Sequence, residues 1–203
     1  MPAYLIATFS ALSAAKCRAY GRSDTAEVAA IEARIAALCA KHQLPEAPKV
    51  CACVWRGQPE APELLVFEHP HAGYQIVKGS LEGDEDPGLA ALRELEEEAG
   101  LQLQSPGEAI GSLHRLHPGR PFETGPLEHQ HWQLFLIPAP PDLPEAWQHA
   151  ATGSIEEEGL IFRCCWQPLN GDYAHFAPVF QQVLQRCSDH LWPADSPFRT
   201  GAD

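Results

Sequence analysis

The chain has 203 residues, of which 45% are hydrophobic and 20% are charged. This size allows a well-buried core and favours one domain with an appended segment over two full domains. Fourteen Lys and Arg residues against 27 Asp and Glu residues give a formal net charge of -13, which argues against a nucleic acid polymer held on a broad basic surface. A small phosphorylated ligand agrees with this charge if a few local cations or metal ions bind its phosphates.

The N-terminal stretch AYLIATFSALSAA has no basic segment before it and is too short to span a bilayer, so we expect neither a signal peptide nor a membrane anchor. The seven cysteines are odd in number and include no C-x-x-C pair, which argues against disulfide bonds and a zinc knuckle. We therefore expect a cytoplasmic protein.

The first predicted element is an amphipathic helix over residues 25 to 42. Asp24 and Glu27 stand at capping-box spacing, and an apolar stripe follows at Val28, Ile31, Ile35 and Leu38. This helix could pack on the main domain or form a homodimer contact. The sequence LPEAPK then interrupts the pattern and predicts a boundary near residue 48.

Short strand-like runs lie on both sides of a central helix, at KVCACVW, ELLVFEH, YQIVK, QHWQLFLI and GLIFRCCW. A last helix is predicted in FAPVFQQVLQRC, whereas PGRPFETGPLEHQ and PAPPDLPEAWQHAATGSIEEE are typical of surface loops. This order predicts an α+β fold in which helices cover a mixed sheet. We expect an N-terminal extension over 1–48, a main domain over 49–190 and a poorly ordered tail over 191–203.

The central helix has local signals at both ends. Asp86 is a suitable N-cap, Pro87 fits the first helical position, and Gly100 stands where a left-handed residue ends a helix. The helix is therefore predicted from Pro87 to Ala99.

Helical spacing separates two faces of this segment. The arc predicted to face the core contains Leu89, Leu92, Leu95 and Ala99. The opposite side gathers three carboxylates, those of Glu94, Glu97 and Glu98, while Glu96 points elsewhere. Convergent carboxylates suit a hard divalent cation, although a solvated acidic face gives the same pattern.

The residues around this helix form a longer motif. From Gly79, five residues lead to Glu85, seven more lead to Arg93, and RELEEEAGL follows. This spacing matches the Nudix box G-x5-E-x7-R-E-U-x-E-E-x-G-U at all nine specified positions, where U is a bulky aliphatic residue. The chain therefore resembles the Nudix hydrolase family, most specifically over 79–101 and more broadly over 50–170.

The resemblance implies an α/β/α sandwich with a mixed sheet, and an enzyme that hydrolyses a nucleoside diphosphate linked to another group with Mg²⁺ or Mn²⁺. It also implies roles for the box residues. The metal ligands would be Glu94, Glu97 and Glu98. Arg93 and Glu85 would brace the loop and the ligand carboxylates, and the glycines Gly79 and Gly100 would allow backbone turns. The catalytic group would comprise Arg93, Glu97 and Glu98.

A base must still take the proton of the attacking water, and in this family that role varies between a box glutamate and an acid on a later loop. The sequence GSIEEEGLIF places Glu156, Glu157 and Glu158 just before a strand, and Glu157 is the best single candidate for catalysis. A solvated loop is the alternative.

Several cations could bind a substrate phosphate. Lys78 directly precedes the box, and the guanidinium candidates are Arg56, Arg115, Arg120 and Arg163, each of which could instead be an ordinary surface residue. His129 and His131 alternate onto one strand face, but two histidines without a third ligand make a poor zinc site.

The substrate stays open among ADP-ribose-like compounds, dinucleoside polyphosphates and modified nucleoside triphosphates. The motif also allows a non-catalytic Nudix-like nucleotide sensor, which usually has a degraded box. An isomerase of the isopentenyl diphosphate type shares the fold, but it needs a catalytic cysteine and further ligands that this sequence does not place.

Overall fold

The computed structural model of the protein describes residues 3–118, 126–155, 157–192 and 196. They form helices and strands in the order α1 (Ala3–Gly21), α2 (Thr25–His42), β1 (Glu46–Gln58), β2 (Ala61–His69), β3 (Gly73–Gln75), β4 (Lys78–Ser80), α3 (Pro87–Ala99), β5 (Glu108–Pro118), β6 (Leu127–Pro138), β7 (Ala146–Ala150), β8 (Ile161–Pro168) and α4 (Pro178–Leu191). No described helix is long and apolar enough to cross a membrane.

The strands form one mixed sheet whose main path is β5-β6-β1-β2-β8-β7. β4 pairs with β1, and β3 pairs with β2. β1 and β6 run parallel, while the other pairs are antiparallel. The predicted α+β fold with a mixed sheet is confirmed.

Strand β1 is buried on both faces, because its alternate side chains enter two different hydrophobic clusters. Cys51 and Cys53 pack in the cluster that contains α4, whereas Val50, Ala52 and Val54 pack in the cluster that contains α3. Helices therefore cover both faces of the sheet, as the predicted sandwich requires. All seven cysteines are free, and five of them are buried as small hydrophobes, whereas Cys39 and Cys165 are half-buried.

The two N-terminal helices form a third hydrophobic cluster. Leu5, Phe9 and Leu12 of α1 pack there with Ile31 and Ile35 of α2. The predicted bounds of α2 are confirmed, and the Asp24 carboxylate accepts a hydrogen bond from the Glu27 backbone N–H at 2.9 Å. Helix α1 was not predicted from the sequence, because its first turn has no acidic residue and its apolar stripe is weak.

Each strand-like run of the sequence contributes to a strand, but the sheet is larger than predicted. The run YQIVK is divided between β3 and β4, with Ile76 and Val77 buried between them. β5 was not predicted, and β7 lies inside a segment interpreted as a surface loop. Residues 119–125 and most of the tail lie outside the described residues, so the domain division stays a prediction.

Candidate active site

Helix α3 has the ends that the sequence predicted. The Asp86 carboxylate accepts hydrogen bonds from the backbone N–H groups of Gly88 and Leu89 at 2.9 and 3.1 Å. At the other end, Gly100 has a φ of 71° and its N–H donates to the Glu96 carbonyl at 2.9 Å. Glycine adopts this left-handed conformation easily, because it has no Cβ to clash with the backbone.

The predicted phase of the helix was wrong on one flank. Leu95 and Ala99 are buried as expected, but Leu89 is 60% exposed and Leu92 is only half-buried. Glu94 and Glu98 are buried instead, at 9% and 3% exposure. The reason is that β4 lies over the acidic flank of α3, so the helix buries a polar flank as well as an apolar one.

Arg93 joins the acidic residues of the motif. Its Nε and Nη2 donate to the two carboxylate oxygens of Glu85 at 3.0 and 2.9 Å. Its Nη1 donates to Glu94 at 2.9 Å and to Glu97 at 3.1 Å. Nη2 also donates to the Ser80 carbonyl at 2.9 Å, so one guanidinium connects the end of β4 and the loop residue Glu85 to the carboxylates of Glu94 and Glu97.

Lys78 and Glu98 form the second charged contact of the site. The Lys78 backbone N–H donates to Glu98 at 2.9 Å, and the Lys78 ammonium lies 3.7 Å from the other carboxylate oxygen. Burial raises the pKa of Glu98 to about 8, against the lowering effect of Lys78. Burial also raises the pKa of Glu94, although Arg93 opposes this change. The positive charge around Glu98 is therefore not sufficient to keep this carboxylate fully ionised near neutral pH.

Position 79 requires a glycine because there is no room for a side chain. The structure has a strand at Gly79, not the predicted backbone turn. It lies in strand β4, paired with Val50, where a Cβ would stand 1.7 Å from the Glu94 Cδ. Any larger residue would therefore push the Glu94 carboxylate out of its position.

The segment after β7 packs against the carboxyl end of α3. The Thr152 backbone N–H donates to the Glu97 carbonyl at 3.0 Å, and a Cβ on Gly153 would stand 2.2 Å from a Glu97 carboxylate oxygen. In the same segment, Glu157 Oε1 lies 3.8 Å from His69 Nε2. Its charge contributes to raising the pKa values of Lys78 and Glu98. The structure thus brings Glu157 next to the box, while Glu156 lies outside the described residues.

Sequence reasoning missed Gly153 and His69. Gly153 lies in the segment interpreted as a surface loop, and nothing local linked that segment to a helix far away in sequence. His69 ends β2 and packs against Phe162 of β8, with ring centroids 5.0 Å apart, and only the pairing of β2 with β8 brings it to Glu157.

The arginines proposed as phosphate ligands are not gathered at the box. Arg56 lies near the carboxyl end of β1, beyond Cys51, which pairs with Lys78. It binds Glu63 at 2.9 Å and Glu145, and lies over the ring of Trp166. Arg115 is on β5, separated from β1 by β6. Arg163 is exposed, 3.6 Å from Glu68, and Arg120 lies outside the described residues.

The box carboxylates fit a hard divalent cation by their chemistry. Three oxygen donors share one flank of α3, and burial raises the pKa of two of them in the absence of added positive charge. They are not drawn into one tight cluster, because Arg93 holds Glu94 and Glu97 while Lys78 holds Glu98. Among the described residues, ligand atoms closer than 4.8 Å to one another occur in a different group, Glu32, His114 and His131.

The protein-family model of the NUDIX domain matches residues 45–171, which is more than half of the chain. The chain belongs to the Nudix family. Helices α1 and α2 of this Nudix protein lie before the matched segment. A 47-residue stretch is 51% identical to an octanoyltransferase from Myxococcus xanthus, covering 22% of this chain and 13% of that protein. The chain therefore spans a small part of that relative's length.

Similar solved structures include Nudix proteins of several kinds. An Ap4A hydrolase from C. elegans is 16% identical with a TM-score of 0.45, over 71% of this chain and 97% of that one. A MutT protein from Methanosarcina mazei Go1 is 18% identical with a TM-score of 0.48, over 73% and 96%. The NUDIX domain of Shewanella oneidensis NrtR, complexed with ADP ribose, is 15% identical with a TM-score of 0.44, over 74% and 92%.

Proposed function

We propose that this Nudix protein is a metal-dependent pyrophosphohydrolase that cleaves the diphosphate linkage of a nucleoside diphosphate joined to another group. The observation that carries the proposal is the arrangement of Arg93, which binds Glu85, Glu94 and Glu97 at once. A fixed guanidinium of this kind pre-positions carboxylates for ligands that arrive later. The intact box favours catalysis over the sensor alternative.

The carboxylates of Glu94, Glu97 and Glu98 would hold Mg²⁺ or Mn²⁺. When bound, such ions neutralise the phosphate charge and make water a better nucleophile. The raised pKa values of Glu94 and Glu98 support this role, because buried acids that lack positive charge gain from a divalent cation.

The remaining side chains supply binding and proton transfer. Lys78 keeps its ammonium charged, because although burial lowers its pKa, the carboxylates of Glu98, Glu157 and Glu94 raise it further. It would bind a phosphate oxygen of the substrate. Glu157, on a segment separate from α3, would accept the proton of the attacking water. We propose no phosphate contact for Arg56, which already has two carboxylate partners.

The experiment is a panel of ADP-ribose-like compounds, dinucleoside polyphosphates and modified nucleoside triphosphates, assayed for phosphate or nucleoside monophosphate release with and without Mg²⁺ or Mn²⁺. Glu97→Gln and Glu98→Gln each keep size and helix propensity, and we expect turnover to fall by roughly two orders of magnitude or more. The matched control is Glu96→Gln, because Glu96 lies on the same helix, is exposed and contacts Gln102. Unchanged turnover in both box variants, or turnover without any divalent metal, would contradict the proposal.

A further inference from the structure

A second cluster of metal-ligating side chains lies away from the box, where α2 meets the sheet. Glu32 comes from α2, His114 from β5 and His131 from β6. One ligand atom from each residue lies within 4.8 Å of those of the other two. Two histidines and a carboxylate form a donor set that suits zinc and similar transition metals better than Mg²⁺.

The hydrogen bonds of His114 leave its Nε2 facing the cluster. Its Nδ1 lies 2.9 Å from Nε2 of His129, on a parallel ring with a centroid 5.1 Å away. Its Nε2 lies 2.6 Å from the Lys16 ammonium, which can only donate, and 3.1 Å from a Glu32 oxygen, which can only accept. The tautomer with the proton on Nδ1, donated to His129, leaves the Nε2 lone pair directed into the cluster. Histidine ligands of metals commonly have such a partner on the ring nitrogen that does not bind the metal.

His131 has a more distant partner on one ring nitrogen and an unused second nitrogen. Its Nδ1 lies 3.7 Å from the Glu46 carboxylate, which favours a proton on Nδ1. Its Nε2 is buried and has no hydrogen-bond partner among the residues that the structure describes. A buried nitrogen without a partner is costly, and a bound ligand would remove that cost.

The side chain of Lys16 already places a cation at this cluster. Its ammonium is fully buried and donates to Glu32, to Ser112 at 2.8 Å and to His114. It therefore occupies the acceptors that a metal ion would use, but it does not reach His131 Nε2. A metal ion must displace this ammonium, and in return it would bind all three donors.

We propose that Glu32, His114 and His131 form a second metal site, for Zn²⁺ or a similar divalent transition metal, in which the ion replaces the Lys16 ammonium. Glu32 is partly exposed, which leaves room for a water as the fourth ligand. The His114 and His131 rings are nearly parallel with centroids 4.6 Å apart. Coordination by both therefore requires one ring to turn and the donors to approach to about 3.3 Å, as tetrahedral zinc with bonds near 2.0 Å demands.

The bound metal would attach the N-terminal helices to the Nudix domain. Glu32 belongs to α2, outside the matched segment 45–171, whereas His114 and His131 belong to neighbouring strands inside it. The site would thus stabilise the fold without taking part in phosphate hydrolysis. Its readouts are metal binding and stability, both independent of the activity at the box.

The test is Co²⁺ titration of the full chain followed by visible absorption, because Co²⁺ with histidine ligands in a tetrahedral site absorbs strongly whereas an octahedral oxygen site absorbs weakly. We expect one equivalent of the intense band, displaced by Zn²⁺, in the native protein and in Glu97→Gln. We expect its loss in His131→Ala and in Glu32→Gln. Zn²⁺ should also raise the melting temperature of the native protein but not of these two variants.

Lys16→Met tests the competition between ammonium and metal, and we expect it to tighten Zn²⁺ binding at least tenfold. If His131→Ala fails to fold, the partly exposed Glu32→Gln gives the decisive comparison. A native protein without the intense band, a band that persists in Glu32→Gln, or an affinity that Lys16→Met leaves unchanged would each overturn the proposal.

Discussion

Arg93 and Glu85 are joined by a two-pronged ion pair, in which Nε and Nη2 of the guanidinium donate to separate carboxylate oxygens at 3.0 and 2.9 Å. The hydrogen bonds from Arg93 lower the pKa of Glu85, so the carboxylate stays ionised. Because the third nitrogen of the same guanidinium contacts Glu94 and Glu97, this pair fixes the loop before α3 relative to the box carboxylates.

Arg93→Lys is the direct test of this geometry. A lysine ammonium keeps the positive charge, but it lacks the planar guanidinium that donates to Glu85, Glu94 and Glu97 at once. We expect turnover to fall at least tenfold and the free energy of unfolding to fall by about 1 to 3 kcal/mol, measured by urea denaturation. Arg163→Lys is the control, because Arg163 is exposed and has only a 3.6 Å contact with Glu68. If Arg93→Lys and Arg163→Lys had the same turnover and the same free energy of unfolding, the hydrogen bonds of the Arg93 guanidinium would not be needed.

Leucine truncations on α3 test the corrected helix phase. Leu95 is 0% exposed, so Leu95→Ala should lower the free energy of unfolding by about 2 to 5 kcal/mol. Leu89 is 60% exposed, so Leu89→Ala should cost less than about 1 kcal/mol. Half-buried Leu92 should fall between them. Urea unfolding of the three variants checks this order, and a larger loss for Leu89 than for Leu95 would contradict it.

The sequence predicted α3 correctly in extent because its signals are local. Asp86 and Gly100 act on backbone groups within a turn of themselves, so no tertiary contact is needed to recognise them. The prediction of which face of this helix is buried was wrong at Leu89. The acidic flank is covered by β4, and the position of β4 depends on its pairing with β1. Helical periodicity alone carries no information about that pairing.

The cluster of Glu32, His114 and His131 also could not be predicted from local sequence signals, because its members come from α2, β5 and β6. His131 was recognised in the sequence but rejected as a metal ligand for want of a third donor. The missing donors are His114, which lies opposite His131 because β5 pairs with β6, and Glu32, which reaches them because α1 packs against both α2 and β5. A single sequence gives residue types and local spacing, whereas such a cluster is created by the topology of the sheet.

The pH dependence of stability should reveal the buried Glu98. Its pKa rises from an ordinary 4.5 to about 8 in the folded protein, so between these values the folded state holds a proton that the unfolded state has released. The stability of the metal-free native protein should therefore decrease as pH rises through this window. Glu98→Gln has no such proton, so its stability relative to the native protein should increase by about 1 to 3 kcal/mol across the window.

Urea unfolding in the presence of a chelator, at several pH values, measures this difference. Added Mg²⁺ should stabilise the native protein at the alkaline end and leave Glu98→Gln nearly unaffected, because a divalent ion supplies the missing positive charge. A pH-independent difference between the two proteins would show that Glu98 is ionised in the folded state without metal.

The segment that carries Glu157 provides the last prediction. Glu157 lies beside His69 and close enough to Lys78 and Glu98 to influence their pKa values, whereas Glu158 is exposed. A base on this segment can approach the water from a direction that α3 does not occupy. We therefore expect Glu157→Gln to lower kcat by about 100-fold or more with little change in KM, and Glu158→Gln to remain near native.

Assays at saturating substrate and metal separate these variants, and His69→Asn shows whether the contact with His69 matters. If His69 positions the Glu157 carboxylate, its loss should lower kcat by less than the loss of Glu157 itself, and combining both changes should add little to Glu157→Gln. Near-native kcat in Glu157→Gln would place the base within the box, since Glu94, Glu97 and Glu98 are the remaining carboxylates on the flank that we propose to hold the metal. The loop would then serve to cover Glu97, which the close approach of Gly153 already does.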